Sequence, residues 1–252
     1  GCDIVISHFY PMNWIACYAK KKYNVRYIYH NHGIGYPNLF GGFFERIYMS
    51  MFSFLNKLSL RNADSAVSIS RFMQAELKKE TGLESKIVYD KIDKKRFRKG
   101  IDKSRIRKEL NIKPDEKLLL FVGRISPHKN VHTLLKIFSS LNEKFSNFKL
   151  LVVGKPTFPD YYRKLKSIAG KNVIFREFVS DKELAFYYAA CDLYVTASLW
   201  EGFNLPIAEA QACGKKVVAF NVCSHPEIVK GGILVEKDDI EGFVDAIIKL
   251  AR

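Results

Sequence analysis

Two short stretches hold residues whose types and spacing could do chemistry. The first is Phe121-Val122-Gly123-Arg124-Ile125-Ser126-Pro127-His128-Lys129-Asn130. An apolar run ends at Gly123 and a helical pattern begins near Asn130 or Val131, so Arg124 and Lys129 fall on a strand-to-helix loop. Ligands of open α/β sheets bind beyond the carboxyl ends of the strands. Two cations on such a loop can converge on one diphosphate, the Arg as a planar fork and the Lys as a point charge. Taken alone, this spacing also suits two solvated surface cations. The second stretch is Glu201-Gly202-Phe203-Asn204-Leu205-Pro206-Ile207-Ala208-Glu209. Gly202 allows close approach of backbone to a ligand, and Pro206 suits the first turn of a helix. The amides of Phe203, Asn204 and Leu205 would then stand at a helix start, which favours an anion. Glu201 before the turn and Glu209 one turn into the helix make poor phosphate ligands but good acceptors for sugar hydroxyls.

The elements that must position these loops are strands alternating with amphipathic helices. Strand patterns fall at 3–8, 26–32, 65–70 and 86–90, with helical patterns near 11–22, 43–61 and 71–81. The alternation stops over 91–116, a charged stretch with few apolar residues that reads as a linker holding one short helix. It resumes with strands at 117–123, 148–153, 173–178, 193–198, 217–221 and 232–236, and helices at 131–145, 159–169, 181–190, 205–213 and 238–251. Such alternation predicts parallel βαβ units. The expected domains are therefore 1–90, a basic linker at 91–116, and 117–252.

With 252 residues, 48% of them apolar, the chain can bury a real core. Its formal net charge is +15, of which residues 1–116 carry +10. That balance favours anionic partners. Aromatic residues follow core periodicity rather than interleaving with basic ones, and no RNP-like, KH-like or zinc-finger pattern is found, so no nucleic-acid partner is expected. The five cysteines, Cys2, Cys17, Cys191, Cys213 and Cys223, include no Cys-x-x-Cys pair, which suits a reducing, cytoplasmic compartment. There is no apolar run of membrane-spanning length and no secretory signal.

The second stretch resembles the E-x7-E motif of family 4 glycosyltransferases, which have the GT-B fold, and the likeness extends further. FVGRISPHKNVHTLLKIF is similar to the family's strand, Gly-Arg, Lys and helix element. Ala189 to Val195, Gly214 to Ala219 and His225 to Val229 resemble its later strand entries and its Pro-Glu turn, with Lys216 where Pro is usual. In the first half, His32-Gly33 resembles the family's His-Gly loop and Ala63 to Ser70 one of its strands. The resemblance implies two Rossmann-like domains facing a cleft, the N-terminal one incomplete. It implies transfer of a sugar from a UDP-, GDP- or ADP-sugar donor to an acceptor hydroxyl with retention at the anomeric carbon.

In that reading Arg124 and Lys129 hold the donor diphosphate beside Gly123. Glu209 binds the ribose, and Glu201 binds the transferred sugar with the backbone of Gly202, Phe203, Asn204 and Leu205. His32 reaches the donor sugar, and Phe178 to Lys182 lie near the base. No metal or other cofactor is expected, since the chain lacks an Asp-x-Asp motif. Developing charge on the leaving diphosphate would be stabilised by Arg124, Lys129 and the helix start near Leu205. A double displacement would need a carboxylate under the anomeric carbon. The resemblance places Glu201 on sugar hydroxyls instead, which points to a front-face route.

Two departures accompany the likeness. An Asn-Gly turn usual after the fourth strand is here Asp90-Lys91, ahead of Asp93 and Phe97. The family's opening strand and Gly-rich loop are not found before Gly1, nor its closing helix after Arg252. The chain is therefore expected to be a fragment with an incomplete acceptor site and weak turnover. Competing readings are a non-catalytic nucleotide-sugar-binding module, a glycoside phosphorylase and a nucleotide-sugar epimerase. The apolar stripe from Tyr36 to Leu60, through Phe40, Phe43, Phe44, Ile47, Met51, Phe54, Leu55 and Leu58, reads first as a core-packing helix and second as an interfacial membrane helix. Lys20 to Lys22 and the Lys94 to Lys99 cluster could touch anionic lipid. Together these tilt the expected acceptor towards a lipid-linked or membrane-proximal saccharide at the inner face. His8 and His30 read as polar loop residues, and His225 as part of a turn.

Overall fold

A computed structural model describes residues 2–8, 11–33 and 43–252, with the side chain of Glu45 outside the description. The chain divides into two compact units, Gly1–Asp90 and Lys91–Arg252.

The first unit runs β1 (Ile4–Ser7), α1 (Met12–Tyr23), β2 (Arg26–Asn31), α2 (Phe43–Leu60), β3 (Ser65–Ser68), α3 (Arg71–Thr81) and β4 (Ser85–Ile87). Its four strands pair in parallel in the order β1-β2-β3-β4. The last strand begins one residue earlier and ends three residues sooner than its β-branched run predicts. Helix α3 shows why these boundaries fall where they do. Ser70 caps its start by accepting from the Met73 amide at 3.1 Å, and Gly82 ends it at φ 73°. Strand β2 alternates: Tyr27, Tyr29 and Asn31 are buried, while Arg26, Ile28 and His30 lie on the other face. The two tyrosines pack with Ala16 and Cys17 of α1, Leu60 of α2 and Leu77 of α3.

Helix α2 faces the opposite way from the core-packing reading. Phe43, Phe44, Ile47, Met51 and Phe54 are all more than half exposed, and Ser53, Asn56 and Ser59 are buried instead. Tyr36 and Phe40 of the predicted stripe lie outside the described residues. The inward polar face is hydrogen-bonded. Asn13 of α1 donates to the Asn56 carboxamide oxygen and accepts from the Ser7 hydroxyl. The Cys17 thiol donates to the Ser59 carbonyl, and Lys20 Nζ to the Asn62 carbonyl at 2.9 Å. A seam of this kind satisfies polar groups against each other, so burying them is not prohibitive.

The second unit opens with α4 (Ser104–Glu109). It continues through β5 (Lys117–Val122), α5 (Val131–Lys144), β6 (Phe148–Val153), α6 (Pro159–Ile168), β7 (Val173–Arg176), α7 (Asp181–Ala190) and β8 (Leu193–Thr196). It closes with α8 (Leu205–Ala212), β9 (Lys216–Phe220), α9 (His225–Ile228), β10 (Gly232–Val235) and α10 (Ile240–Ala251). The sheet is all parallel in the order β10-β9-β8-β5-β6-β7. This is the doubly wound Rossmann order, and the direction of winding reverses between β5 and β8. Leu119 and Phe121 of β5 join a cluster with α5, α6 and α10, and Leu118 and Leu120 are equally buried on the opposite face.

The stretch expected as a linker is grouped with this unit from Lys91 onward. Phe97, Ile106, Leu110 and Ile112 are buried. Arg107 anchors the segment, donating to the Ala190 and Glu116 carbonyls and pairing with Asp192 at 3.1 Å. Its few apolar residues are spaced widely, so they leave no periodic signal although four of them are buried.

Candidate functional site

The loops after β5 and β8 flank the winding reversal, where open α/β sheets form their ligand crevice. They are fastened to each other. Asn130 Nδ2 donates to the Ala197 carbonyl at 3.0 Å, and the Leu199 amide donates to the His128 carbonyl at 2.9 Å. Lys129 Nζ reaches both carboxylate oxygens of Glu201, at 2.7 and 2.8 Å. Asn130 holds the left-handed region at φ 56°, which turns the chain between the 3-10 turn Pro127–Lys129 and α5. Beneath the first loop the backbone passes so closely that a Cβ on Gly154 would lie 1.8 Å from the Gly123 carbonyl oxygen. Gly154 itself sits at φ 151°, a second reason for glycine there.

The Lys129–Glu201 pair is nearly dry, the side chains 15% and 9% exposed. Lys129 has three ammonium protons and Glu201 takes two, leaving one for another acceptor. Arg124 is exposed beside the pair and makes no ion pair among the described residues. His128 accompanies them, its Nδ1 3.2 Å from the Ser126 hydroxyl. Burial first, then the Lys129 charge, pushes the His128 imidazole down to about 4, so it is neutral at pH 7.

Asn204 sets the start of α8. It adopts φ 55° immediately before Leu205, with Pro206 second in the helix. Its Nδ2 lies 2.8 Å from His225 Nε2, and His225 Nδ1 lies 2.7 Å from the Phe220 carbonyl. A carbonyl only accepts, so Nδ1 carries the proton and Nε2 accepts from Asn204. Burial lowers the His225 pKa, in keeping with this neutral tautomer. The Ser224 hydroxyl donates to the Glu201 carbonyl at 3.0 Å. The short helix α9, expected only as a turn, thus braces the loop from Glu201 to Asn204.

Glu209 faces the same end of the sheet as one turn of α8 dictates. The Tyr188 hydroxyl donates to its Oε2 at 2.8 Å. Burial raises the Glu209 pKa, while Tyr188 and the nearby Arg96 charge oppose the rise. The Tyr188 ring is in turn met edge-on by Phe97, centroids 5.7 Å apart. The segment before β5 therefore supports a site residue through one intermediate ring.

In the second unit the structure brings Gly123, Arg124, Lys129, Glu201, Gly202, Phe203, Asn204, Leu205 and Glu209 to the carboxyl ends of β5 and β8. Phe178, after β7, is 82% exposed. Sequence reasoning missed Asn130, Tyr188, Ser224 and His225. Asn130, at positive φ between the 3-10 turn and α5, offered a signal, because Asn is the residue after Gly that best tolerates that region.

His32 lies in the first unit, one residue past β2. It is grouped with the two histidines read as polar loop residues, and His30 is within β2 itself. His8 Nδ1 is 3.0 Å from His32 Nε2 and 3.2 Å from His30 Nδ1. Burial, then neighbouring imidazoles, lowers the pKa of both His30 and His32, and the Asp90 carboxylate opposes it.

A parallel doubly wound unit with a basic loop and two carboxylates at its winding reversal, preceded by a second parallel α/β unit, defines an α/β protein of the GT-B fold class. Residues 102–252 match the family described as Glycosyl transferases group 1, and residues 1–93 match Glycosyltransferase Family 4. The chain belongs to the Glycosyl transferases group 1 family. It is 34% identical over 176 residues to the D-inositol 3-phosphate glycosyltransferase of Mycobacterium ulcerans, covering 66% of this chain and 37% of that protein. It is 28% identical over 201 residues to the lipopolysaccharide core biosynthesis mannosyltransferase LpsB of Rhizobium meliloti, covering 76% of this chain and 56% of that one. The chain thus spans little more than a third to a half of the length of these relatives. Among solved structures, Anabaena Alr3699/HepE in complex with UDP and glucose superposes with a TM-score of 0.81 at 22% identity, over 98% of this chain and 68% of that one. At that identity the likeness shows the fold.

Proposed function

We propose that the chain carries the donor-binding machinery of a glycosyltransferase that moves a hexose from a nucleotide-sugar to an acceptor hydroxyl. The observation that carries this is the Lys129–Glu201 pair at the winding reversal, with exposed Arg124 beside it. A diphosphate there would take the third Lys129 proton and the Arg124 fork. The amides and dipole at the start of α8 add to the stabilisation of the departing nucleoside diphosphate. Glu201 keeps lone pairs for sugar hydroxyls while Lys129 holds it in place. Glu209 Oε1 is left for the ribose, because Tyr188 occupies Oε2. UDP and glucose in the Anabaena neighbour, and UDP-glucose in another structure of it, support a nucleotide-sugar as the donor class. His32 is proposed to contribute to sugar transfer from the first unit.

With Glu201 committed to Lys129 and to hydroxyls, transfer proceeds by a front-face route that retains the anomeric configuration. In this proposal the donor phosphate helps deprotonate the acceptor, and no metal carries the diphosphate. The test is incubation with UDP-, GDP- and ADP-sugars and saccharide acceptors, with product configuration read by NMR. A retained product with nucleoside diphosphate released is expected. A trapped glycosyl–Glu201 adduct would overturn the front-face route, and sugar 1-phosphate formed from free phosphate would replace the transferase with a phosphorylase.

The exposed face of α2 supports peripheral contact with a membrane carrying anionic lipid. Among the described residues no helix is long and apolar enough to cross one. Phe43, Phe44, Ile47, Met51 and Phe54 would enter the interface while the net charge of +15 favours the headgroups. Sedimentation with phosphatidylglycerol vesicles should fall on Phe44→Ser with Met51→Ser. Undiminished sedimentation excludes this face.

A further inference from the structure

The histidines of the first unit converge for a reason visible in the strand register. Strands β1 and β2 pair in parallel from Ile4 opposite Arg26 to Ser7 opposite Tyr29. One further step along that register sets His8 opposite His30. Residues two apart in a strand share a face, so His32 continues the side on which His30 stands. The chain bends just beyond, where the Gly33 amide donates to the Asn31 side-chain oxygen at 3.1 Å and Gly33 takes φ 139°. The result is three imidazoles at one end of the sheet, with one ring nitrogen from each within 4.8 Å of the other two.

We propose that His8, His30 and His32 form a binding site for one divalent transition-metal ion of the zinc, cobalt or nickel type. His8 Nδ1 stands 3.0 Å from His32 Nε2 and 3.2 Å from His30 Nδ1. Around a tetrahedral ion with bonds of about 2.1 Å, ligand nitrogens are separated by roughly 3.4 Å. The two separations from His8 therefore need to open by only a few tenths of an ångström, while the His30 and His32 nitrogens already lie within 4.8 Å of each other. Proton accounting points the same way. An imidazole nitrogen has one proton or one lone pair in the ring plane, and His8 Nδ1 faces two other nitrogens. It serves one of them well and the other poorly, whereas an ion accepts all three lone pairs at once. Three imidazoles select the borderline metals over magnesium or calcium, which prefer oxygen ligands. A three-His set also leaves a position open for water or an anion.

The site does not rest on the glycosyl-transfer reading. It shares with that reading only His32, whose nitrogen the ion would occupy. The experiment is titration of the tag-free full chain with Co(II) alone, followed by visible absorption and calorimetry, then displacement by Zn(II). One equivalent should bind with the intense d–d absorption of a low-coordinate site. His8→Ala and His30→Ala each remove a ligand and should weaken binding by more than the roughly 10- to 100-fold that loss of an outer-shell partner costs. Trp14 fluorescence reports whether the first unit stays folded. His8→Gln, which keeps size and hydrogen bonding but not strong ligation, serves if the alanine variant does not. Absence of the Co(II) spectrum, equal competition by Mg(II), or binding untouched in a folded His8 or His30 variant would overturn the proposal.

Discussion

The two units solve the same problem, a parallel sheet covered by helices, with different materials. In the second unit β8 is buried along its whole length, and aliphatic side chains from β5, β6, α5 and α10 form a broad apolar cluster. In the first unit the apolar cluster is small, and α1 meets α2 through Asn13, Asn56, Ser59 and Lys20. The hydrogen-bonded polar groups sit in different places in the two units. The second unit gathers its polar network at the loops of the site, held by a dry core. The first spends part of its network on packing and turns an apolar helix face outward. Rigid positioning of a diphosphate site is therefore expected from the second unit, and adaptable contacts from the first.

The largest effect should come from splitting the dry ion pair. Glu201→Ala leaves the Lys129 ammonium buried and unpaired, which should cost about 3–5 kcal/mol in urea unfolding followed at Trp200. The double variant Lys129→Met with Glu201→Leu should recover most of that stability, because apolar replacement of a buried pair is often neutral. It should not recover nucleotide binding. Recovery of both would make the pair a packing feature only.

Acid comes next. His128 has a folded pKa of about 4 against an ordinary 6.5, so the unfolded chain takes up the proton first. The stability this contributes is complete above pH 6.5 and is lost as pH falls through about 4, on the order of 3 kcal/mol in total. Buried His225 is shifted in the same direction. Unfolding of His128→Asn measured between pH 7 and pH 4 should lose less stability than the parent. An unchanged slope would show that the loop does not bury its imidazole.

The polar seam of the first unit makes a sharper comparison. Asn13→Ala removes one partner of Ser7, which keeps the Tyr27 hydroxyl at 3.0 Å, and the partner of the Asn56 side-chain oxygen, and should cost about 1–3 kcal/mol, read at Trp14 with the transition at Trp200 unmoved. A neutral result would mean that the seam is wet and that the apolar cluster alone holds the unit. Arg124→Ala gives the smallest stability change, within about 0.5 kcal/mol, because the side chain is exposed and unpaired among the described residues. It is the cleanest probe of binding for the same reason.

Legibility in the sequence follows the same division. Residues 117–252 alternate so regularly that most strands and helices fall within two residues of their patterns, and the Glu201–Glu209 motif has its helix start where Pro206 places it. Helix α2 was equally visible as a stripe, but periodicity gives the stripe and not the side it turns inward. That was decided by Asn13, thirty residues upstream of Phe43, through a bond no local pattern records. Phe97 escaped for a related reason: one aromatic ring among charges carries no period, although it backs Tyr188 and hence Glu209. The histidine cluster depends on register between two strands, which sequence alone does not fix.

The most direct test of the central claim is calorimetric titration of UDP, GDP, ADP and inorganic phosphate into the chain, Arg124→Ala and Glu209→Ala. One nucleoside diphosphate should bind well ahead of phosphate. Each variant should stay folded and lose about 10- to 100-fold in affinity, the worth of one hydrogen bond to a charged group. A folded chain that binds no nucleotide, or binds it equally in both variants, would contradict a nucleoside diphosphate site at the β5–β8 reversal.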